Sequence, residues 1–381
     1  MRLALDAVLL VAGIALTIGT IGSAVRATIL PRGVPVRVAR IVNLVLRALF
    51  RLRAGRSPTY ERRDRVMAYF GPTALLTLLT AWLVMLLVAF VLMYLAVATR
   101  SVATAIELSG SSLFTLGSAS AHHLGPDVLT YVEAGLGLLL VTLLITYLPS
   151  IYNAFSRREN GVSLLAVRAG DPPTATTMLI RYHRIEDANY RLSGLWQTWE
   201  GWFTDVEESH TSFPILAYFR SPVPERSWVT AAGTVLDAAS LWVSAVEHPN
   251  DPDAQLCIRA GFLALQRIGG FFSIAYDVAP NRGDPITIDR HEFDAAVKDM
   301  AGTGMTLVDD LDEAWDSFRG WRVNYDTVLL NLARLVEAPP APWVSDRSPV
   351  AERETWTLRR ALTLSVPGTT SARRRRRPDR P

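Results

Sequence analysis

"SVATAIELSGSSLFTLGSASAHH", residues 101–123, separates two long apolar segments and decides how the chain is built. Ser101 to Phe114 has the length of a short helix that reaches about halfway into a hydrocarbon core of roughly 30 Å, and it cannot span. The next stretch, "TLGSAS", is made of small residues whose backbone can run extended. Irregular backbone at membrane depth is tolerated only where protein buries it or water contacts it. A short helix, an extended turn and an exit through "AHHLGPD" meet that condition if several copies surround an axis. The plainer reading is an ordinary extracellular loop.

The flanking segments set this choice. Residues 72–99, "PTALLTLLTAWLVMLLVAFVLMYLAVAT", carry no charge and read as a membrane helix. Residues 128–155 form another span, with Glu133 near its start and a kink expected at Pro149, where an intrahelical hydrogen bond is lost. Residues 3–25 are interrupted only by Asp6 and are long enough to span. A cleaved secretory signal is the alternative, although the run is long for an h-region and its n-region holds only Arg2. The chain of 381 residues has a mean hydropathy of +0.20, with the long apolar runs gathered before residue 156 and a water-soluble region after it.

Orientation follows from arginine. Residues 26–71 hold eleven arginines against Glu61 and Asp64, whereas residues 100–127 hold only Arg100. The positive-inside rule puts the first loop in the cytoplasm, the second outside and the carboxy-terminal region in the cytosol, where Arg157 and Arg158 follow the third span. Within the first loop, Arg37, Arg40, Arg47 and Arg51 fall in a helical sector of about 80°, with aliphatic residues mostly opposite. That pattern suits an interfacial helix with arginines toward lipid phosphates. A helix packed on the soluble domain is the alternative.

Residues 72–160 resemble the tetrameric potassium-channel pore: an outer helix, "SGSSLFTLG" as the end of a pore helix and the start of a filter, "EAGLG" in an inner helix, and "FSRRE" as the exit. In that family the filter reads TVGYG followed by an acid, and backbone carbonyls replace the ion's water shell. The resemblance makes Thr115, Leu116 and Gly117 the first filter positions. Ser118 stands for the tyrosine, Ala119 for the second glycine and Ser120 for the acid. A β-carbon at a left-handed filter position costs about 1–2 kcal/mol, so Ala119 is expected to be strained. Ser118 also removes the ring that packs behind the filter. These departures imply a shorter or wider filter, with Ser118 and Ser120 lining a vestibule, and weak selectivity or no conduction. The resemblance further implies Gly135 and Gly137 as an inner-helix hinge and Pro149 as a gate. For the glycines close helix packing is the alternative, and for the proline it is the end of the membrane helix. Glu133 and Glu107 are candidates to support the pore loop, because a carboxylate at this depth needs a partner. His122 and His123 are either an external pH sensor or solvated loop residues.

The soluble region reads as helical, with apolar periodicity in 176–208, 226–247, 253–277, 290–301 and 303–336, broken by Pro and Gly. Trp196, Trp199 and Trp202 share a helix face and suit a core. Glu207 and His210 have a spacing that can serve one metal, but no second pair follows. No HExxH, phosphate loop, nucleophile elbow or zinc-spaced cysteine set is present, so no enzyme, metal or cofactor is expected. Cys257 is the sole cysteine, which excludes an intrachain disulfide. Arg373 to Arg377 form a cationic tail that is either solvated or drawn to anionic lipid or nucleic acid.

The expected protein is therefore an all-α membrane protein of three transmembrane helices, a re-entrant pore helix and a cytosolic helical bundle. Its expected divisions are a first helix (1–26), a basic loop (27–71), a pore domain (72–158; outer helix 72–99, pore helix and filter 102–120, inner helix 128–155), a cytosolic domain (159–345) and a basic tail (346–381). The expected function is cation conduction, potassium among the candidates, by a homotetramer in the plasma membrane. The expected partners are the bilayer and monovalent cations, with no nucleic acid. A non-conducting scaffold or sensor whose bundle recruits a cytosolic protein is the alternative, and a membrane-attached metalloenzyme using Glu207 and His210 is a third.

Overall fold

The computed structural model describes residues 2–30, 37–55, 59–119, 124–185, 192–248 and 250–347. The regular structure of those residues is helical, and their only ladder-type pairing is an isolated bridge between Val246 and Leu307. Three helices are long and apolar enough to cross a membrane, which makes the chain a membrane-embedded protein. Ser120, His122, His123 and Arg373 to Arg377 lie outside the described residues.

The first span, α1 (Arg2–Thr28), runs antiparallel to α4 (Phe70–Val97) along its whole length. Asp6 pairs with Arg100 at one end, and the Trp82 indole donates to Ser23 Oγ at 3.0 Å near the other. Between them a β-carbon on Gly13 would stand 2.6 Å from the Ala89 carbonyl, so glycine permits the close approach. Two helices join these spans, α2 (Arg37–Ala54) and α3 (Tyr60–Met67). The second of these is not foreseen from periodicity, because it is short and mostly charged.

After α4 comes α5 (Val102–Leu113), and then α6 (Leu124–Ala169), which departs most from expectation. It contains Pro149 without ending there and runs 46 residues, about 69 Å, more than twice what a bilayer core requires. The expected inner helix 128–155 and the expected boundary between 158 and 159 both fall inside it. The helix continues because its distal turns have somewhere to bury an apolar face: Val162, Leu165 and Ala169 belong to the core of the bundle that follows.

That bundle comprises α7 (Ala175–Ile185), α8 (Leu192–Ser212), α9 (Trp228–Ala245), α10 (Pro252–Phe271), α11 (Arg290–Ala301), α12 (Leu311–Arg322) and α13 (Asp326–Leu335). All of α9 except Val243 is buried, so it is the central helix. Trp196, Trp199 and Trp202 are core residues, with Trp202 in edge contact with Trp199 and Phe203. The periodic run 303–336 divides at Val323–Tyr325, just after the fully buried Arg322. Arg322 bonds Asp237, Asp326 (2.8 Å) and the Trp343 carbonyl (2.7 Å). Burial opposes the charge, but the two carboxylates outweigh it and hold the guanidinium above its ordinary pKa.

Candidate functional site

Helix α5 begins where α4 ends and dips back between α4 and α6. Ser101 caps its amino end by accepting from the Thr104 amide at 3.3 Å. Its carboxy end sits deep: a β-carbon on Gly137 would stand 2.7 Å from the Leu113 carbonyl. Gly137 lies thirteen residues into α6, about 20 Å along it.

Polar side chains fix α5 at that depth. Ser109 donates to the buried Glu133 carboxylate at 2.5 Å and has the Leu87 carbonyl of α4 at 3.2 Å. The hydroxyls of Ser112 and Thr130 each donate to a carbonyl of their own helix, Leu108 and Pro126. The Tyr94 hydroxyl, 3.2 Å from both, therefore donates to one of them and bridges α5 and α6 from α4. Glu133 thus touches α5, whereas Glu107 is exposed on it. Ser109, Ser112 and Tyr94 are not singled out by sequence reasoning; the available signal is a pair of serines three residues apart on α5 and a tyrosine near the end of the otherwise apolar α4.

The chain leaves α5 through a left-handed cap. The Leu116 amide donates to the Ser111 carbonyl (2.8 Å) and the Thr115 amide to the Ser112 carbonyl (3.0 Å), with Thr115 at φ +53°. This is a Schellman arrangement with threonine where glycine is usual. Gly117 follows at φ +68° with open space around it. Ala119 does not take a left-handed φ, so the strain expected there falls on Thr115 instead. Nor does the stretch run fully extended. Ser111 Oγ donates to the Ala119 carbonyl (3.2 Å) and accepts from its amide (3.0 Å), and so closes residues 112–118 into a loop. Thr115, Leu116, Gly117 and Ser118 are exposed in the single chain, Leu116 at 68%.

Of the two candidate hinge glycines, only Gly135 has open space; Gly137 is a contact with α5. Close packing is therefore the reading the geometry favours for Gly137. Pro149 does not end the helix, since α6 continues past it for 20 residues.

On the basic helix α2, the four arginines expected to face lipid divide. Arg37 and Arg40 are exposed, but Arg47 donates to the Leu335 carbonyl and Arg51 pairs with Glu337 at 3.2 Å. Arg47 and Arg51 thus face the bundle rather than lipid phosphates, because Leu46 and Ala54 bury the same side of the helix. The opposite side leaves Ile41, Val45, Leu49 and Leu52 exposed as one stripe.

Glu207 and His210 do not converge. Glu207 pairs with Arg267, while His210 is fully buried against the Trp228 ring. Among the described residues no three His, Cys, Asp or Glu side chains gather as a metal site. His210 instead meets Arg158, which sequence reasoning uses only as one of two arginines that follow the third span. Arg158 is fully buried and bonds Glu159 (2.9 Å), the carbonyls of Leu216 (2.8 Å) and Phe219 (2.7 Å), and His210 Nε2 (3.2 Å). Burial first, and the Arg158 charge second, push His210 well below its usual pKa, so the ring is neutral and accepts from Arg158.

No family model, curated protein or solved structure matches the chain.

Proposed function

We propose that the chain is a pore-forming membrane subunit that conducts cations as an assembly of four copies, with α5 as pore helix, residues 115–119 as a short filter and the bundle on the cytoplasmic side. The observation that carries this reading is α5, packed between α4 and α6 by Glu133, Ser109, Ser112 and Tyr94, with its carboxy end beside Gly137, about 20 Å along α6, and an exposed loop after it. A loop exposed in one chain at membrane depth requires protein or water beside it, and an axial pore supplies both. The helix adds a favourable potential, because the carboxy end of α5 carries partial negative charge toward that loop. Rings of backbone carbonyls then replace part of a monovalent cation's hydration.

The closure of the loop on Ser111 favours a second reading, a scaffold that keeps the architecture without conducting. Assembly is tested first. With Cys257 buried, Leu116→Cys places one accessible thiol per chain. Mild oxidation in native membranes is expected to yield cross-linked pairs, since the four loops meet at the axis. Monomer alone would overturn both readings; cross-linked pairs without ion flux would leave the scaffold.

A further inference from the structure

Residues 7–60 hold eight arginines and no aspartate or glutamate, so the end of α1 and the whole of α2 are cationic without an acid of their own. The bundle engages two of these charges, Arg47 and Arg51. Arg37 and Arg40, in the first turn of α2, are exposed, and among the described residues neither meets an acid. Ile41, Leu44 and Val45 stand beside them and are exposed as well. At 100° per residue these five positions fall within about 140° of one helix face. That face joins free cations to bare aliphatic side chains.

Its height in the fold follows from charge and packing. Asp6 and Arg26 are twenty residues apart on α1, about 30 Å, with no charge between them, so the hydrocarbon core runs from the Asp6–Arg100 pair to the level of Arg26. Val38 packs on the cluster of α1 and α4 that includes Ala24 and Ala27, on either side of Arg26. Farther along, Phe50 meets the Phe70 ring edge-on at 5.5 Å and Ala54 joins the cluster of Met67, so α2 starts at the core edge and leaves it toward the bundle. Ile41 follows Val38 by at most about 5 Å of rise and Val45 by at most about 10 Å, less for an inclined helix. The interfacial layer on each side of a bilayer is about 5–8 Å thick. The exposed face at the start of α2 therefore lies where acyl chains give way to headgroups.

We propose that this face of α2 seats in the bilayer interface on the side of the bundle and selects anionic lipids there, with Arg37 and Arg40 on their phosphates and Ile41, Leu44 and Val45 against their upper acyl chains. Guanidinium forks match phosphate oxygens, and with no acid from residue 7 to residue 60 nothing on this face opposes an anionic headgroup. The lipid-facing arginines expected from the sequence thus narrow from four to two. The assignment does not rest on the pore reading.

The test uses the full chain in vesicles of phosphatidylcholine and phosphatidylglycerol. Cys257 is buried, so Ile41→Cys carries a single environment-sensitive fluorophore, and Val278→Cys, exposed between α10 and α11, is the control. A nitroxide near the top of an acyl chain, carried by one lipid or the other, quenches a fluorophore that it touches. Quenching is expected at position 41 and not at position 278. Phosphatidylglycerol is expected to quench position 41 about fivefold more effectively than phosphatidylcholine, the factor that a single arginine near an anionic surface contributes. R37Q/R40Q, which changes exposed side chains only, is expected to bring the two lipids close to equality, with R40Q intermediate. Quenching at 41 no greater than at 278 would overturn the seat in the bilayer, and emission shielded from water without quenching would do so by placing protein on that face. Equal quenching by the two lipids in Ile41→Cys, or a preference unchanged by R37Q/R40Q, would overturn the selection of anionic lipid.

Discussion

Gly135 and Gly137 lie two residues apart on α6 and have opposite surroundings. A β-carbon at Gly137 meets the Leu113 carbonyl at 2.7 Å, and one at Gly135 meets nothing within 4 Å. Gly137→Ala is therefore expected to destabilise by about 1–3 kcal/mol by overpacking against the end of α5. Gly135→Ala is expected to be neutral or stabilising by up to about 1 kcal/mol, since alanine is the better helix former. Thermal unfolding of the two variants in detergent checks this; equal effects would mean that the pair acts as a hinge and not as one packing contact. Sequence reasoning could place both glycines on the inner helix but could not separate them, because the separation comes from a neighbour more than twenty residues away. Thr115 shows the same limit. Its left-handed φ follows from the way α5 ends, and threonine at that position sends no signal in the sequence.

His210 and Arg158 belong to the scale of the element, where α6 meets α8 and the 3-10 turn. A fully buried histidine whose pKa is depressed stays neutral in the folded protein, while the unfolded chain takes up a proton as pH falls through its ordinary value of about 6.5. The sign follows: the unfolded state binds more protons below about 6.5, so His210 contributes nothing pH-dependent above that value and lowers stability below it, by up to about 1.4 kcal/mol per pH unit. Melting from pH 8 to 5 is expected to be shallower in His210→Gln than in wild type over pH 5–6.5. Parallel curves would show that the ring is protonated in the fold. The element boundaries carry a similar lesson. The apolar runs and the helical character of the bundle are legible because burial writes a period of 3.6 into the residues. The continuity of α6 through Pro149 is not legible, since it depends on Val162 and Leu165 finding a core built mostly from later helices. Arg158 beside Arg157 reads as one of two arginines flanking the span, and only the fold turns it inward, toward carbonyls from residues 216 and 219.

At the scale of the molecule, both outer and inner spans are fastened to one short segment of the soluble region. Arg158 of α6 holds the carbonyls of Leu216 and Phe219, the Phe219 ring packs on Gly71 of α4, and Arg220 reaches Asp64 of α3. A movement of the bundle would thus reach the ends of both helices beside the proposed pore through residues 216–220. The most direct measurement of the central claim is cation flux into vesicles reconstituted with the full chain, compared with Gly117→Val and with empty vesicles. Gly117 has a φ of +68°, which a β-branched residue adopts only with strain, so the substitution disturbs the proposed filter and little else. The account predicts flux above empty vesicles for the wild type and a marked loss for Gly117→Val; wild-type flux equal to that of empty vesicles, from protein shown to assemble, would contradict it.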